Sequence, residues 1–116
     1  MKKVLLVLIL GLIFSQYSFA GEWYKGGTLH KSTIEKWYRA SYKDRLATCS
    51  DWIVALVDKE DYGVLFMDNK KVLRSLSESL EKCITEGNMV NGKILAPSIK
   101  AAERGALCWE IMQGID

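Results

Sequence analysis

The chain has 116 residues, 49% of them apolar and 26% charged, with one proline and three cysteines. That composition excludes disordered, collagenous, coiled-coil and multidomain architectures and leaves a single small globular unit. The formal charge of +2 rests on Lys2 and Lys3, so a strongly basic surface is excluded as well.

Residues 1–20 read as an export signal. Lys2 and Lys3 form a positive n-region, residues 4–14 an apolar run, and Ser18-Phe19-Ala20 a small-x-small end before Gly21. The run is shorter than the roughly 20 apolar residues that span a bilayer. No cysteine follows it to carry a lipid. The expected product is a single domain, 21–116, delivered to the periplasm without a membrane anchor. It carries 14 basic residues, the total of 16 less Lys2 and Lys3, against 14 acidic ones. Bases alternate with acids and form no long run, so nucleic acid is not an expected partner, and no helix pairs a basic face with an exposed apolar one, so an anionic membrane is not one either. A domain this small buries little more than about 60% of its unfolded surface, and an oxidising compartment offers a disulfide as remedy.

The elements follow in chain order. Residues 21–31, GEWYKGGTLHK, are an aromatic, glycine-rich lead-in without periodicity. Ser32-Thr33-Ile34-Glu35 reads as a capping box, Ser32 accepting from the Glu35 amide, and opens a helix with Ile34, Trp37 and Tyr38 on its apolar face. Ser41 is either a break or a surface position. The pattern resumes at Leu46, Cys49, Trp52, Ile53 and Leu56, spacings that mark one buried face. Residues 58–68 are a connector turning at Tyr62-Gly63, with 64–67 as packed loop, helix entry or short strand. Asp68 is the expected N-cap of the next helix, which buries Val72, Leu73, Leu76, Leu80, Cys83 and Ile84 and carries Arg74, Glu78 and Lys82 at i,i+4 steps. Gly87 is expected at C′, Asn91-Gly92 in a turn, and Pro97 at the first position of a last helix. That helix is apolar nearly all round in its second half and is expected to be the most buried. The fold class predicted is all-α, a compact, disulfide-stabilised bundle of four to five helices.

Cys49, Cys83 and Cys108 leave one thiol over when one bridge forms. Cys83–Cys108 is slightly preferred because the two lie on consecutive helices; Cys49–Cys83 is the alternative. Either loop is worth roughly 3–4 kcal/mol in the chain-entropy model. With the preferred bridge, Cys49 is a small apolar core residue.

No catalytic, metal or cofactor site emerges. His30 is the one histidine, and nothing in the spacing sets it against Cys49 as a nucleophile pair. The cysteines lack the short ligand pairs of zinc sites, Glu60 and Asp61 lack EF-hand spacing, and Gly26-Gly27 follows no strand and so cradles no phosphate. The aromatic residues are the more informative excess: nine follow the signal, four of them between positions 23 and 38. Trp23, Tyr24, His30, Trp37 and Tyr38 are therefore the candidate surface for a protein partner, Trp and Tyr being favoured anchors.

Two stretches carry a resemblance. Gly26-Gly27-Thr28-Leu29-His30, with Trp37, Ala40, Leu46-Ala47-Thr48 and Asp51-Trp52, resembles an uncharacterised family of small exported bacterial proteins, over about a third of the exported chain. The segment Thr48-Cys49-Ser50-Asp51-Trp52-Ile53 is similar, more loosely, to HdeA-type periplasmic acid-stress chaperones. That likeness implies a small helical domain that sheds its dimer contacts in acid and holds unfolded clients, with Cys49–Cys83 as the bridge. The chain departs from it by its third cysteine, its shorter cysteine separation and its lead-in. Periplasmic immunity proteins share the general architecture. The expected function is a non-enzymatic periplasmic protein-interaction module, either a dedicated binder or immunity-type protein, or a stress chaperone. The alternative is a small periplasmic hydrolase or redox protein using His30 or a cysteine.

Overall fold

The residues before the first helix are organised by one close contact between backbones. In the computed structural model, which describes residues 23–57 and 70–114, a Cβ on Gly27 would stand 2.6 Å from the Thr48 amide nitrogen and 2.8 Å from its Cα. Glycine alone lets the lead-in lie this close to a helix. The segment then bonds along one side of that helix. Thr28 donates to Asp44 through its amide (2.7 Å) and its hydroxyl (2.5 Å), and the Leu29 amide donates to Thr48 Oγ1 (3.2 Å). His30 Nε2 lies 2.7 Å from Asp51 Oδ2. The Leu29 side chain is thereby pressed into the core.

Helix α1, Ile34–Arg39, starts one residue later than the capping box predicts. Ser32 instead closes a turn on the Leu29 carbonyl, with its amide at 3.1 Å and its hydroxyl at 2.9 Å. Its own carbonyl accepts from the Ala101 amide (2.9 Å), and Thr33 bridges Lys100, which holds positions 32–33 extended. Thr33 becomes the cap and accepts from Lys36 N, while Glu35 turns outward to Arg39. The Ile34 and Glu35 amides, which a helix start leaves without intrahelical partners, donate to Ile99 O (2.8 Å) and Pro97 O (3.0 Å).

Ser41 is a break: Ala40 is extended and Ser41 caps α2, Tyr42–Leu56, by accepting from Asp44 N. Helix α3 is Lys70–Gly87. Gly87 is its last helical residue rather than C′, and the end is secured by Asn88, whose side chain donates to Ile84 O at 2.7 Å. Asn91 and Gly92 both have positive φ (54° and 77°), the two-residue turn that matches hairpin twist. They join β1, Met89–Val90, to β2, Lys93–Ile94, in an antiparallel pair with Met89 opposite Ile94. Helix α4 is Ala101–Met112, so Pro97 lies in the preceding loop, where its carbonyl caps α1, and not at a helix start.

The predicted fold class stands: among the described residues four helices form a bundle, and Cys83–Cys108 bridges α3 to α4. The core gathers Ile34 and Trp37 of α1, Cys49 and Ile53 of α2, Leu73, Leu80 and Ile84 of α3, and Ala101 and Cys108 of α4. The last helix is not the most buried element. Ala101, Gly105 and Cys108 face inward, while Leu107 and Ile111 are 50% and 70% exposed, because a Cys–Gly–Ala seam meets the bundle and the larger residues fall on its flank. Leu56 likewise points outward. The expected signal at 1–20, the expected connector with Tyr62-Gly63, residues 64–67, Glu60 and Asp61, and the expected cap at Asp68 lie outside the described residues. Among those described, no helix is long and apolar enough to cross a membrane.

Gly27→Ala should destabilise the protein by about 1–3 kcal/mol in urea denaturation, since it forces backbone apart. A Cβ on Gly87 meets nothing within 4 Å. Gly87→Ala should therefore be neutral, or raise stability by up to about 1 kcal/mol.

Candidate functional site

The five aromatic and imidazole candidates do not form one patch. Trp23 and Tyr24 pack edge to face, with centroids 5.6 Å apart, against the first turns of α3. There Lys70 Nζ lies 4.2 Å above the Tyr24 ring and 2.7 Å from its hydroxyl, and the Arg74 guanidinium lies 4.9 Å above the Trp23 ring. Both rings are half-buried and both cations are held by them. Trp23 forms one wall of an open cleft of about 510 Å³. The other wall is α3, which contributes two adjacent i,i+4 rows, Lys70-Arg74-Glu78 and Lys71-Ser75-Ser79. Arg74 Nε also donates to Glu78 at 3.0 Å.

His30 is held elsewhere, by Asp51 and by an edge contact to Trp52 (centroids 6.4 Å apart). The imidazole and carboxylate are 41% and 45% exposed, so the pair is worth under about 1 kcal/mol. Cys49 lies two residues before Asp51 on α2, roughly 200° around the helix, and faces the core instead. Burial pushes its thiol well above the ordinary range, with the Glu81 carboxylate adding to the effect and Arg45 opposing it.

Trp37 has to be removed from the partner surface. Its side chain is fully buried, stacked on Trp52 with 5.8 Å between centroids and 10° between planes, and its indole Nε1 donates to Thr85 Oγ1 (3.0 Å). Tyr38, half-buried beside it, donates to Thr85 O at 2.5 Å. Its phenol is shifted upward by burial, with Glu81 adding to this and Arg45 opposing it. Thr85 in turn donates to Glu81 Oε2 (3.1 Å), and Glu81 faces Arg45 at 3.6 Å. These last three residues are absent from the sequence reading. The signal for them was slight: a single acid, Glu81, between Leu80 and Cys83 on the buried stripe. The cationic half of the cleft was equally missed, because the lead-in shows no period that would say which helix it lies against.

A second depression, about 180 Å³, runs between α2 and α4 over Trp52, Ala55, Leu80 and Ala102. No group of three or more His, Cys, Asp or Glu side chains among the described residues is placed to hold a metal ion. Residues of the lead-in and α1 meet α2 at four places: Gly27 on Thr48, Leu29 on Thr48, His30 on Asp51 and Trp37 on Trp52. Their contacts seat the lead-in on α2. Comparison of the chain with family models, with curated proteins and with solved structures gives no match.

A group held neutral by burial makes stability depend on pH. Below the thiol's unfolded-state pKa, roughly 8.5, Cys49 is protonated in both states and its contribution is intact. Above it the unfolded chain releases a proton that the folded chain keeps, so stability falls by up to about 1.4 kcal/mol per pH unit. Cys49→Ala should show a shallower loss of urea stability than the parent between about pH 8.5 and pH 10. Equal slopes would mean that the thiol ionises in the folded protein.

Proposed function

We propose that this is a non-enzymatic, exported protein-interaction module of the bacterial periplasm, and that it meets its partner at the Trp23–Tyr24 end of the molecule. The observation that carries this reading is the pair of half-buried aromatic rings, each holding a cation, at the lip of an open cleft. Aromatic and arginine side chains fixed at a cavity edge are the residue types that dominate protein–protein binding energy. They contribute large contact area with little conformational entropy left to lose. The disulfide and the signal-like residues 1–20 fit an oxidising destination outside the cytoplasm. The enzymatic alternative has less behind it. Its thiol, Cys49, is buried and kept protonated, and its imidazole, His30, is spread between Asp51 and the Trp52 edge.

Within the interaction class, the dedicated binder is favoured over a broad chaperone by the way the rings are held. A chaperone of unfolded clients needs adaptable apolar surface, whereas Trp23 and Tyr24 are fixed by cations and by each other. Crosslinking followed by capture from periplasmic extract at neutral pH should yield one stoichiometric partner. Trp23→Ala and Tyr24→Ala should each weaken that partner's binding by about tenfold or more, a hot-spot loss of at least ~1.4 kcal/mol. Many partners appearing only near pH 3 would establish the chaperone instead, and unchanged capture by both variants would place the interface elsewhere.

A further inference from the structure

The cleft beside Trp23 has a chemistry of its own, and it is polarised along its length. Its α3 wall begins with Lys70 and Lys71, continues with Arg74 and Ser75, and ends with Glu78 and Ser79. Among the described residues three cations and one anion thus line it, with the positive charge gathered toward Lys70 and the negative charge at Glu78. The neutral balance of the exported chain makes this a local property and not a reflection of overall charge.

The aromatic rings give the cations their geometry. Arg74 lies over the Trp23 indole and donates through Nε to Glu78, so its guanidinium is held from two sides. Lys70 donates one N–H to the Tyr24 hydroxyl and keeps its ammonium over the ring, where the charge is positioned to meet an arriving carboxylate. Ordering these two long side chains in advance removes the rotamer entropy that binding otherwise has to overcome. On the second row, the hydroxyls of Ser75 and Ser79 can donate to or accept from a peptide backbone. Trp23 supplies an apolar wall for side-chain stems.

Resting on the interaction reading above, we infer that the Trp23 cleft takes an acidic segment of a partner protein, with its Asp or Glu carboxylates on Lys70 and Arg74 and a neutral or basic residue beside Glu78. Charge complementarity selects the occupant: the cationic end suits carboxylates, and the Glu78 end rejects a uniformly anionic ligand. A flat anionic membrane surface offers nothing to the Glu78 end and does not enter a cleft walled by an indole.

The test is fluorescence polarisation on the purified protein with a labelled peptide of alternating Glu and Gly ending in Lys. Its Gln–Gly and Lys–Gly counterparts and phosphatidylglycerol vesicles are the comparison ligands. The Glu–Gly peptide should bind best and weaken as salt rises from about 0.05 M to about 0.3 M. Arg74→Gln and Lys70→Gln should each weaken it by about five- to tenfold, as loss of a charge-assisted hydrogen bond does. Arg74→Lys should fall between parent and Arg74→Gln, because it keeps the charge and loses the fork. Glu78→Gln should tighten an all-acidic peptide, a change that a purely structural role for Glu78 would not produce. All these side chains are at the surface, and an unchanged near-ultraviolet circular dichroism spectrum confirms each variant's fold. Equal binding of the Glu–Gly and Gln–Gly peptides, no effect of Arg74→Gln, or stronger binding of the vesicles overturns the inference. Should Arg74→Gln still capture the crosslinked partner, the interaction reading stands and the acidic occupant falls. If neither protein nor peptide binds, both fall together.

Discussion

The approach of Gly27 to the Thr48 backbone is the constraint on which the other contacts are built. With the lead-in lying that close to α2, Thr28 reaches Asp44 and the Leu29 amide reaches Thr48 Oγ1. Leu29 is then in the core, and the chain emerges at Ser32 next to the strand-like stretch before α4. The 97–101 stretch finishes the start of α1 with its carbonyls, which sets the direction of a helix only six residues long. A helix of that length has little stability of its own and is held by what surrounds it. Its orientation brings Trp37 onto Trp52 and within reach of Thr85, so a glycine ten residues upstream governs where the largest core side chain goes.

Register between the helices is kept by polar groups as much as by packing. Arg45 of α2 donates to the Ala40 carbonyl at the end of α1 (2.9 Å) and faces Glu81 of α3, whose carboxylate accepts from Thr85. Thr85 accepts from the Trp37 indole, and its carbonyl accepts from Tyr38. Three helices thus share one network whose ionic members are 16% and 7% exposed. Such a pair adds little net stability against apolar residues of equal size, but removing either member strands the other charge. Its effect is to favour this arrangement over others in which the same apolar faces pack with a different offset. Arg45 Nε makes no hydrogen bond and sits 3.6 Å from Glu81, leaving that contact ionic only.

Much of this architecture was legible in the sequence, for a physical reason. Helical periodicity reports the side chains that face a core, and the stripe Leu73, Leu80, Ile84 on α3 is buried as its spacing predicts. The preference for Cys83–Cys108 followed from chain proximity, and the structure has that bridge. What escaped depends on contacts between segments distant in sequence. Ser32 has every local qualification as a cap and is displaced to Thr33 because Ala101 claims its carbonyl. Pro97 looks like a helix start and is used as an acceptor for α1. Trp37 sits in an aromatic cluster that reads as surface, yet it is the one member that the fold fully encloses. The cleft was invisible for the same reason: Trp23 and Arg74 are 51 positions apart (74 less 23) and meet only in the folded chain.

The odd cysteine gives the fold a further property. A chain with three thiols can exchange partners, because any free thiolate can attack an existing disulfide. In the folded protein the third sulfur is enclosed at Cys49 and held in its thiol form, on a helix that does not carry the bridge. Exchange is therefore open to the unfolded chain, where Cys49 is accessible and able to ionise, and closed once the core has formed. The sulfur that would let a wrongly joined chain correct itself is withdrawn from internal exchange by the correct fold.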